Sequence, residues 1–225
     1  MIPWTVLGKA EIPNGGGELK LSQRGEEFSI RLSGVRGELM NSRVHNSEEV
    51  LAELGCAHLK SVDAAQVLVG GLGMGFTLAA ALKAVTASST VTVAELIPAV
   101  EEWNRGALGE CAGRPLQDSR AQVHLGDVAE LFDNKKPAFD AILLDVDNGP
   151  EGLTHTDNHG LYSLSGLDAI HKSLHVDGML AIWSAFPDNH FLNRLKKTGF
   201  KASMRTVRAR VGKGSRHTIF LAKKA

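Results

Sequence analysis

Several things are scarce in this chain, and each scarcity excludes something. Cysteine occurs twice in 225 residues, as Cys56 and Cys111, which fits neither a disulfide framework nor a zinc site. Each lies in a helix-like segment and reads as a small core residue, which implies a reducing compartment. The opening stretch MIPWTVLGKAEIPNGGG has no basic region followed by an apolar one, so the expectation is a cytoplasmic protein without a signal peptide. Aromatic residues make up 5% of the chain, with one tyrosine, which disfavours a base-stacking platform for nucleic acid. The longest uncharged run, residues 64–82, carries Gly70, Gly71, Gly73 and Gly75 at its middle. That is the signature of a strand–loop–helix and not of a membrane span. Net charge is zero, so overall charge favours no partner class. Acids are nevertheless absent after Asp188, while eleven Lys and Arg residues follow it. This basic tail reads as solvated strand and helix faces or, alternatively, as a surface for an anionic partner.

What is present is a regular alternation of elements. The first forty residues contain WTVLG, ELKLSQ, EFSIRL and GELMN, separated by turn-like PNGGG, RGE and SGVR. They predict a small β-hairpin or meander over residues 1–45, too short to fold alone. From residue 46 to 225 helices and strands take turns. Asn46 or Ser47 is placed to cap a helix whose early Glu48 and Glu49 favour its N-terminal dipole, with Val50, Leu51, Leu54, Ala57 and His58 as its apolar face. QVLVG, VTVAEL, AQVHLG, FDAILLD and GMLAIWS then read as continuous apolar strands with helices between them, DVAELF being a short one. Such strands belong to a parallel sheet covered on both faces. FKASMRTVRA and HTIFLAK, joined through Gly212-Lys213-Gly214, read as a closing hairpin. The predicted fold is α/β: an open, doubly wound, mostly parallel seven-stranded sheet with an antiparallel C-terminal hairpin and a short N-terminal β appendage. Ligands in such sheets bind at the carboxyl ends of the strands.

Those strand ends carry the chemistry. Gly70-Gly71-Leu72-Gly73-Met74-Gly75 follows the first parallel strand and opens a helix, so the backbone can approach a ligand closely or merely turn tightly. Glu95 ends the next strand, where an acid can accept both ribose hydroxyls of a nucleoside or cap the helix after Pro98. Asp127 follows the third strand, placed for an adenine amine or for N-capping DVAELF. The fourth strand runs into LLDVDNGPEG, which places Asp145 and Asp147 at the lip of the sheet. The loop from Asp147 to Leu161 is long and polar, as a lid would be. Its His155 and His159 are candidates for a base or a metal ligand, though no metal-ligand spacing is complete and solvent-exposed loop histidines account for them as well.

This succession of strand tips resembles the class I S-adenosylmethionine-dependent transferases, with a Rossmann-like sheet. Over residues 38–184 it resembles more closely their spermidine synthase-like (polyamine aminopropyltransferase) group. ELMNSRVHNSEEVLAEL is similar to that family's segment leading into the first strand. VLVGGLGMGFTL resembles its glycine loop, VTVAELIPAVEEW its ribose-binding segment, and LLDVDNGPEG with LYS its catalytic loop. The resemblance implies that Gly70, Gly71, Gly73, Gly75 and Glu95 hold the thionucleoside and that Asp127 contacts adenine. It also implies that Asp145 orients and deprotonates the attacking amine, with Asp147 beside it, and that Tyr162 belongs to a gate over the site. It implies S-adenosylmethionine or its decarboxylated form as co-substrate with no metal, a small amine as the acceptor, and homodimerisation. The departures fall on the acceptor side. The catalytic acids are spaced D-x-D where the family has D-x-x-D, with Asn148 at the second acid's place. Met74 replaces the acid inside the glycine loop, and the segment before the first strand has no tyrosine. Three functions follow: aminopropyl transfer to an amine, methyl transfer to another acceptor from the same pocket, or a non-catalytic nucleoside-binding homologue. Basic C-terminal strands facing the cleft would favour an acidic or nucleic-acid substrate for the second.

Overall fold

The structure is a computed structural model describing residues 2–35, 37–132, 137–146 and 158–225, without the side chains of residues 14, 158 and 159. Four antiparallel strands come first: β1 (Thr5–Ile12), β2 (Gly17–Arg24), β3 (Glu27–Leu32) and β4 (Met40–Asn41), paired in that order. In β2, Leu19 and Leu21 are buried while Lys20 between them is not, the alternation of a sheet with one covered face. Next comes α1 (Asn46–Gly55), which turns Leu51, Ala52 and Gly55 inward and leaves Ala57 and His58 just beyond it exposed. The predicted cap of α1 is not formed. Asn46 Nδ2 instead donates to the Arg208 carbonyl at 2.7 Å, and Ser47 Oγ donates to Glu48 Oε2 at 2.6 Å. Asn46 is used in a tertiary contact that the local sequence does not reveal, and Ser47 orients its neighbour Glu48.

The second sheet contains β5 (Gln66–Gly70), β6 (Thr90–Glu95), β7 (Ala121–Leu125), β8 (Phe139–Leu144), β9 (Leu174–Ser184), β10 (Phe200–Arg210) and β11 (Lys213–Lys224). Between them run α2 (Phe76–Ala84), α3 (Pro98–Arg105), α4 (Asn158–Leu161), α5 (Leu164–Ser173) and α6 (Asn189–Lys197). The order is β10-β11-β9-β8-β5-β6-β7, with β11 antiparallel to both its neighbours and the other pairs parallel. Val67, Leu68 and Val69 in β5 and residues 141–144 in β8 are all but fully buried, because helices or the N-terminal sheet cover both faces. The stretch DVAELF forms a 3-10 turn over Val128–Leu131 in place of the short α-helix expected.

One hydrophobic cluster joins Ile12, Leu21 and Ile30 of the N-terminal sheet to Leu51 of α1 and to Val69 and Leu143 of the large sheet. The first forty residues are therefore part of the same core. A second cluster fills the opposite face, with Leu68, Ile142, Phe191 and Phe220. The chain leaves β5 toward β6 on one side and pairs β5 with β8 on the other, so the topological switch lies between the tips of β5 and β8. Among the described residues no helix is long and apolar enough to cross a membrane.

Candidate active site

At the switch the glycine loop and the tip of β8 lie backbone against backbone. Gly71 has a φ of +90°. A Cβ there would sit 2.5 Å from the Asp145 carbonyl oxygen, so only glycine fits. The Asp145 N–H donates to the Gly70 carbonyl at 2.8 Å, continuing the ladder one step past the strand. Thr77, buried in the first turn of α2, donates its hydroxyl to Asp145 Oδ2 at 2.5 Å. Asn104 of α3 braces the other end of the loop by donating to the Gly73 carbonyl at 2.9 Å. The loop and Asp145 are thus fixed by the same set of contacts.

Glu95 is 7% exposed at the end of β6. Its Oε2 accepts the Leu72 N–H at 3.0 Å and its Oε1 accepts the Ile97 N–H at 2.9 Å. Burial pushes its carboxyl pKa upward, and these backbone donors oppose that push. A carboxylate offers about four acceptor positions, and backbone N–H groups of Gly73 and Leu96 also face this one. The residue also ties the glycine loop to the start of α3, which contains the capping alternative within the same geometry. Asp127 does cap the turn after β7, accepting the Ala129 N–H at 2.9 Å, and it also lines the cavity described next.

A cavity of about 430 Å³ runs along the carboxyl edge of the sheet, within the range of small-molecule sites. It is lined from Asp127 after β7, past Glu95 and the glycine loop, to Asp145, and on to Trp183 in β9 and His217 in β11. That path crosses five strand steps, about 24 Å at roughly 4.8 Å per step. The N-terminal segment closes it from above with Ile12, Leu19, Met40 and Asn41. The N-terminal strands therefore build part of the wall, a role the sequence left undecided.

Glu48 in the first turn of α1 lines the same cavity. Sequence reasoning assigned it to the helix dipole and missed it as a site residue. The available signal was its place in the segment that resembles the family's approach to the first strand. Burial, and next the neighbouring Asp145 charge, push the Glu48 carboxyl up to about 7. Burial likewise pushes Asp145 up to about 6, against the Thr77 hydroxyl, which lowers it. Burial pushes the His217 pKa below its usual value. Its ring packs on Trp183 at 4.7 Å between centroids. Among the described residues that line the cavity there are four acids, Glu48, Glu95, Asp127 and Asp145, and no lysine or arginine. The basic side chains of β10 and β11, including Arg205, Arg208, Arg210, Lys213 and Arg216, are exposed elsewhere.

One expected site residue lies apart from this geometry and another falls outside the described residues. Tyr162 is 1% exposed among the second core cluster, edge-on to Phe191 with ring centroids 5.6 Å apart, and it does not line the cavity. Among the described residues, then, Tyr162 belongs to the core and not to the cavity wall, next to the Ser163 cap of α5. Asp147 falls outside the described residues, as do Asn148, Glu151, His155 and Asp157, and so does the side chain of His159. Cys56 is fully buried and Cys111 partly so, and burial raises their thiols to about 12 and about 11. Among the described residues no cluster of three or more His, Cys, Asp or Glu is arranged to hold a metal.

The comparisons with known proteins bear on the whole arrangement. No curated protein matches the chain by sequence. Among solved structures, a spermidine synthase in complex with the transition state analogue AdoDATO aligns over 98% of this chain and 72% of its own, with 19% identity and a TM-score of 0.75. The spermidine synthase from Thermotoga maritima aligns over 98% and 73%, with 20% identity and a TM-score of 0.76. A probable spermidine synthase from Corynebacterium glutamicum aligns over 98% and 80%, with 16% identity and a TM-score of 0.66. At these identities the likeness is one of fold. The spermine/spermidine synthase domain matches residues 45–211, about three quarters of the chain, and the chain accordingly belongs to that family of transferase enzymes.

Proposed function

We propose that the protein transfers an aminopropyl group from decarboxylated S-adenosylmethionine to a small amine, with Asp145 as the base. The observation that carries this reading is the placement of Asp145: a shielded carboxyl at the middle of the cavity, one strand from the glycine loop, with its pKa raised to about 6. A general base works best with a pKa near the operating pH. The acids and missing cations of the wall support both choices of substrate. The carboxylate of S-adenosylmethionine finds no lysine or arginine partner among the described lining residues, whereas a sulfonium and an amine are each met by negative charge.

In this reading Glu95 and the glycine loop bind the nucleoside, and Asp127 lies at its base end. The carbon next to the sulfonium needs little further activation, so the protein's task is positioning and proton removal. The acceptor docks as an ammonium and gives one proton to Asp145. Its nitrogen lone pair then forms the new C–N bond as the C–S electrons return to sulfur, leaving neutral methylthioadenosine. Thermal shift tests the donor: decarboxylated S-adenosylmethionine and methylthioadenosine raise the melting temperature more than S-adenosylmethionine does. The reverse order turns the reading toward methyl transfer, and no shift with any of the three removes both.

A further inference from the structure

Among the described residues Glu48 makes no ion pair that would explain its position. A glutamate in the first turn of a helix ordinarily sits in solvent near the free N–H groups. Here it turns into the cavity, and the buried Ser47 hydroxyl holds its Oε2 at 2.6 Å. Asp145 faces the same cavity with its Oδ2 held by the buried Thr77 hydroxyl at 2.5 Å. Two carboxyl groups from separate elements therefore line one cavity and are each oriented by a hydroxyl, and the Asp145 charge adds to the burial that raises Glu48. Among the described residues, the other charged groups around them do not neutralise the pair. Glu49, the next residue of α1, adds negative charge and lies 3.1 Å from His45 Nδ1. From β11 comes His217, whose burial disfavours its charged form. Glu95 and Asp127 lie farther along the edge and are acids themselves.

We infer that Glu48 and Asp145 act as one carboxyl pair that receives the acceptor's ammonium and holds its proton, so that Glu48 is a second catalytic acid of the site. This rests on the aminopropyl reading above. Without acceptor the pair shares a proton, because two like charges at close range do not both ionise readily. An arriving ammonium supplies the missing counter-charge, and the shared proton goes to solvent. The ammonium then passes one of its own protons to the pair, nitrogen attacks, and the pair returns that proton to solvent when the product leaves.

Two measurements test this on the full chain. The first is the acid limb of kcat/KM for 1,4-diaminobutane with decarboxylated S-adenosylmethionine. The wild type falls with a slope approaching two protons. Glu48→Gln falls with a slope of one at lower pH, and its acceptor KM rises about tenfold or more while donor affinity holds within about threefold. An unchanged slope and KM overturn the proposal. The second needs no turnover: calorimetric titration of 1,4-diaminobutane into protein saturated with methylthioadenosine, at pH 6.5 in buffers of different ionisation enthalpy. Proton release on binding is expected for the wild type and is lost in Glu48→Gln. Equal release from both proteins overturns the pair. Release confined to the wild type, with no transfer activity, leaves the pair standing and removes the aminopropyl reading.

Discussion

The two halves of the cavity are built by opposite means. The half proposed to hold the nucleoside, on β5, β6 and β7, is made of backbone and one buried acid: glycines with positive φ, N–H groups of Leu72 and Ile97, and the Glu95 carboxylate that collects them. The half proposed to hold the acceptor, from the tip of β8 to β9, β11 and α1, is made of side chains from distant segments: Asp145, Glu48, Trp183, His217 and, from the N-terminal strands, Met40 and Asn41. Backbone can recognise a nucleoside only one way, so that half is constrained by geometry. Side chains can be exchanged without moving the strands, so the second half can change its ligand while the fold stays the same.

The sharpest way to separate the halves is Asp145→Asn. It removes the base and keeps the shape, so kcat is expected to fall by about 10²–10⁴, with methylthioadenosine affinity within a few-fold of wild type by calorimetry. Loss of nucleoside affinity equal to the loss of turnover would show that the halves are not separable. Glu95→Gln is the converse. The amide has one acceptor oxygen, so either Leu72 or Ile97 loses its partner in a buried place. Nucleoside affinity is expected to fall about ten- to a hundredfold. The melting temperature should fall with it by several degrees, at roughly 2–4 °C per kcal/mol for a chain of this size. A variant that binds nucleoside normally would reduce Glu95 to a loop brace.

The same contrast explains what could be read in advance. The glycine loop, Glu95 and Asp145 each belong to a strand and the few residues after it, so local pattern placed them at the carboxyl edge. Glu48 reaches Asp145 only because α1 lies over α2, with His45 stacked on Phe76 at 4.3 Å. No local period encodes that crossing. Tyr162, which the resemblance implied for a gate, is a related case: it packs edge-on to Phe191 within the second core cluster, and no local pattern announces that contact. The fold class was legible because continuous apolar strands such as residues 141–144 have only one use. The shared core with the N-terminal strands was not, since it depends on Ile12, Leu21 and Ile30 meeting α1 and the large sheet from outside their own turn chemistry.

A smaller effect compares the halves through stability. Glu48 and Asp145 have pKa values raised to about 7 and about 6, so the folded chain keeps protons that the unfolded chain has already released. Stability from this source is present below the unfolded values near 4 and is lost as pH rises through 6 to 7. Glu48→Gln and Asp145→Asn remove that loss. Each variant is therefore expected to melt a few degrees above wild type at pH 8, with the difference vanishing toward pH 4. Melting curves across that range check it. A variant that melts below wild type at pH 8 would mean that the carboxylate is held by favourable contacts outweighing its burial.

The smallest effect lies at the far end of the nucleoside half. Asp127 both caps the turn at Val128–Leu131 and lines the cavity, and the two roles predict different things for different substitutions. Asparagine caps nearly as well as aspartate, so Asp127→Asn should leave the melting temperature within a degree or so, while alanine should cost about 1 kcal/mol. If the carboxylate also receives an adenine amine, Asp127→Asn weakens methylthioadenosine binding several-fold despite unchanged stability, because a charge-assisted bond becomes a neutral one. If the cap is its whole role, asparagine is silent in both measurements and alanine affects binding only in proportion to the lost stability. The two variants together therefore decide whether the nucleoside half reaches as far as β7 or ends at Glu95.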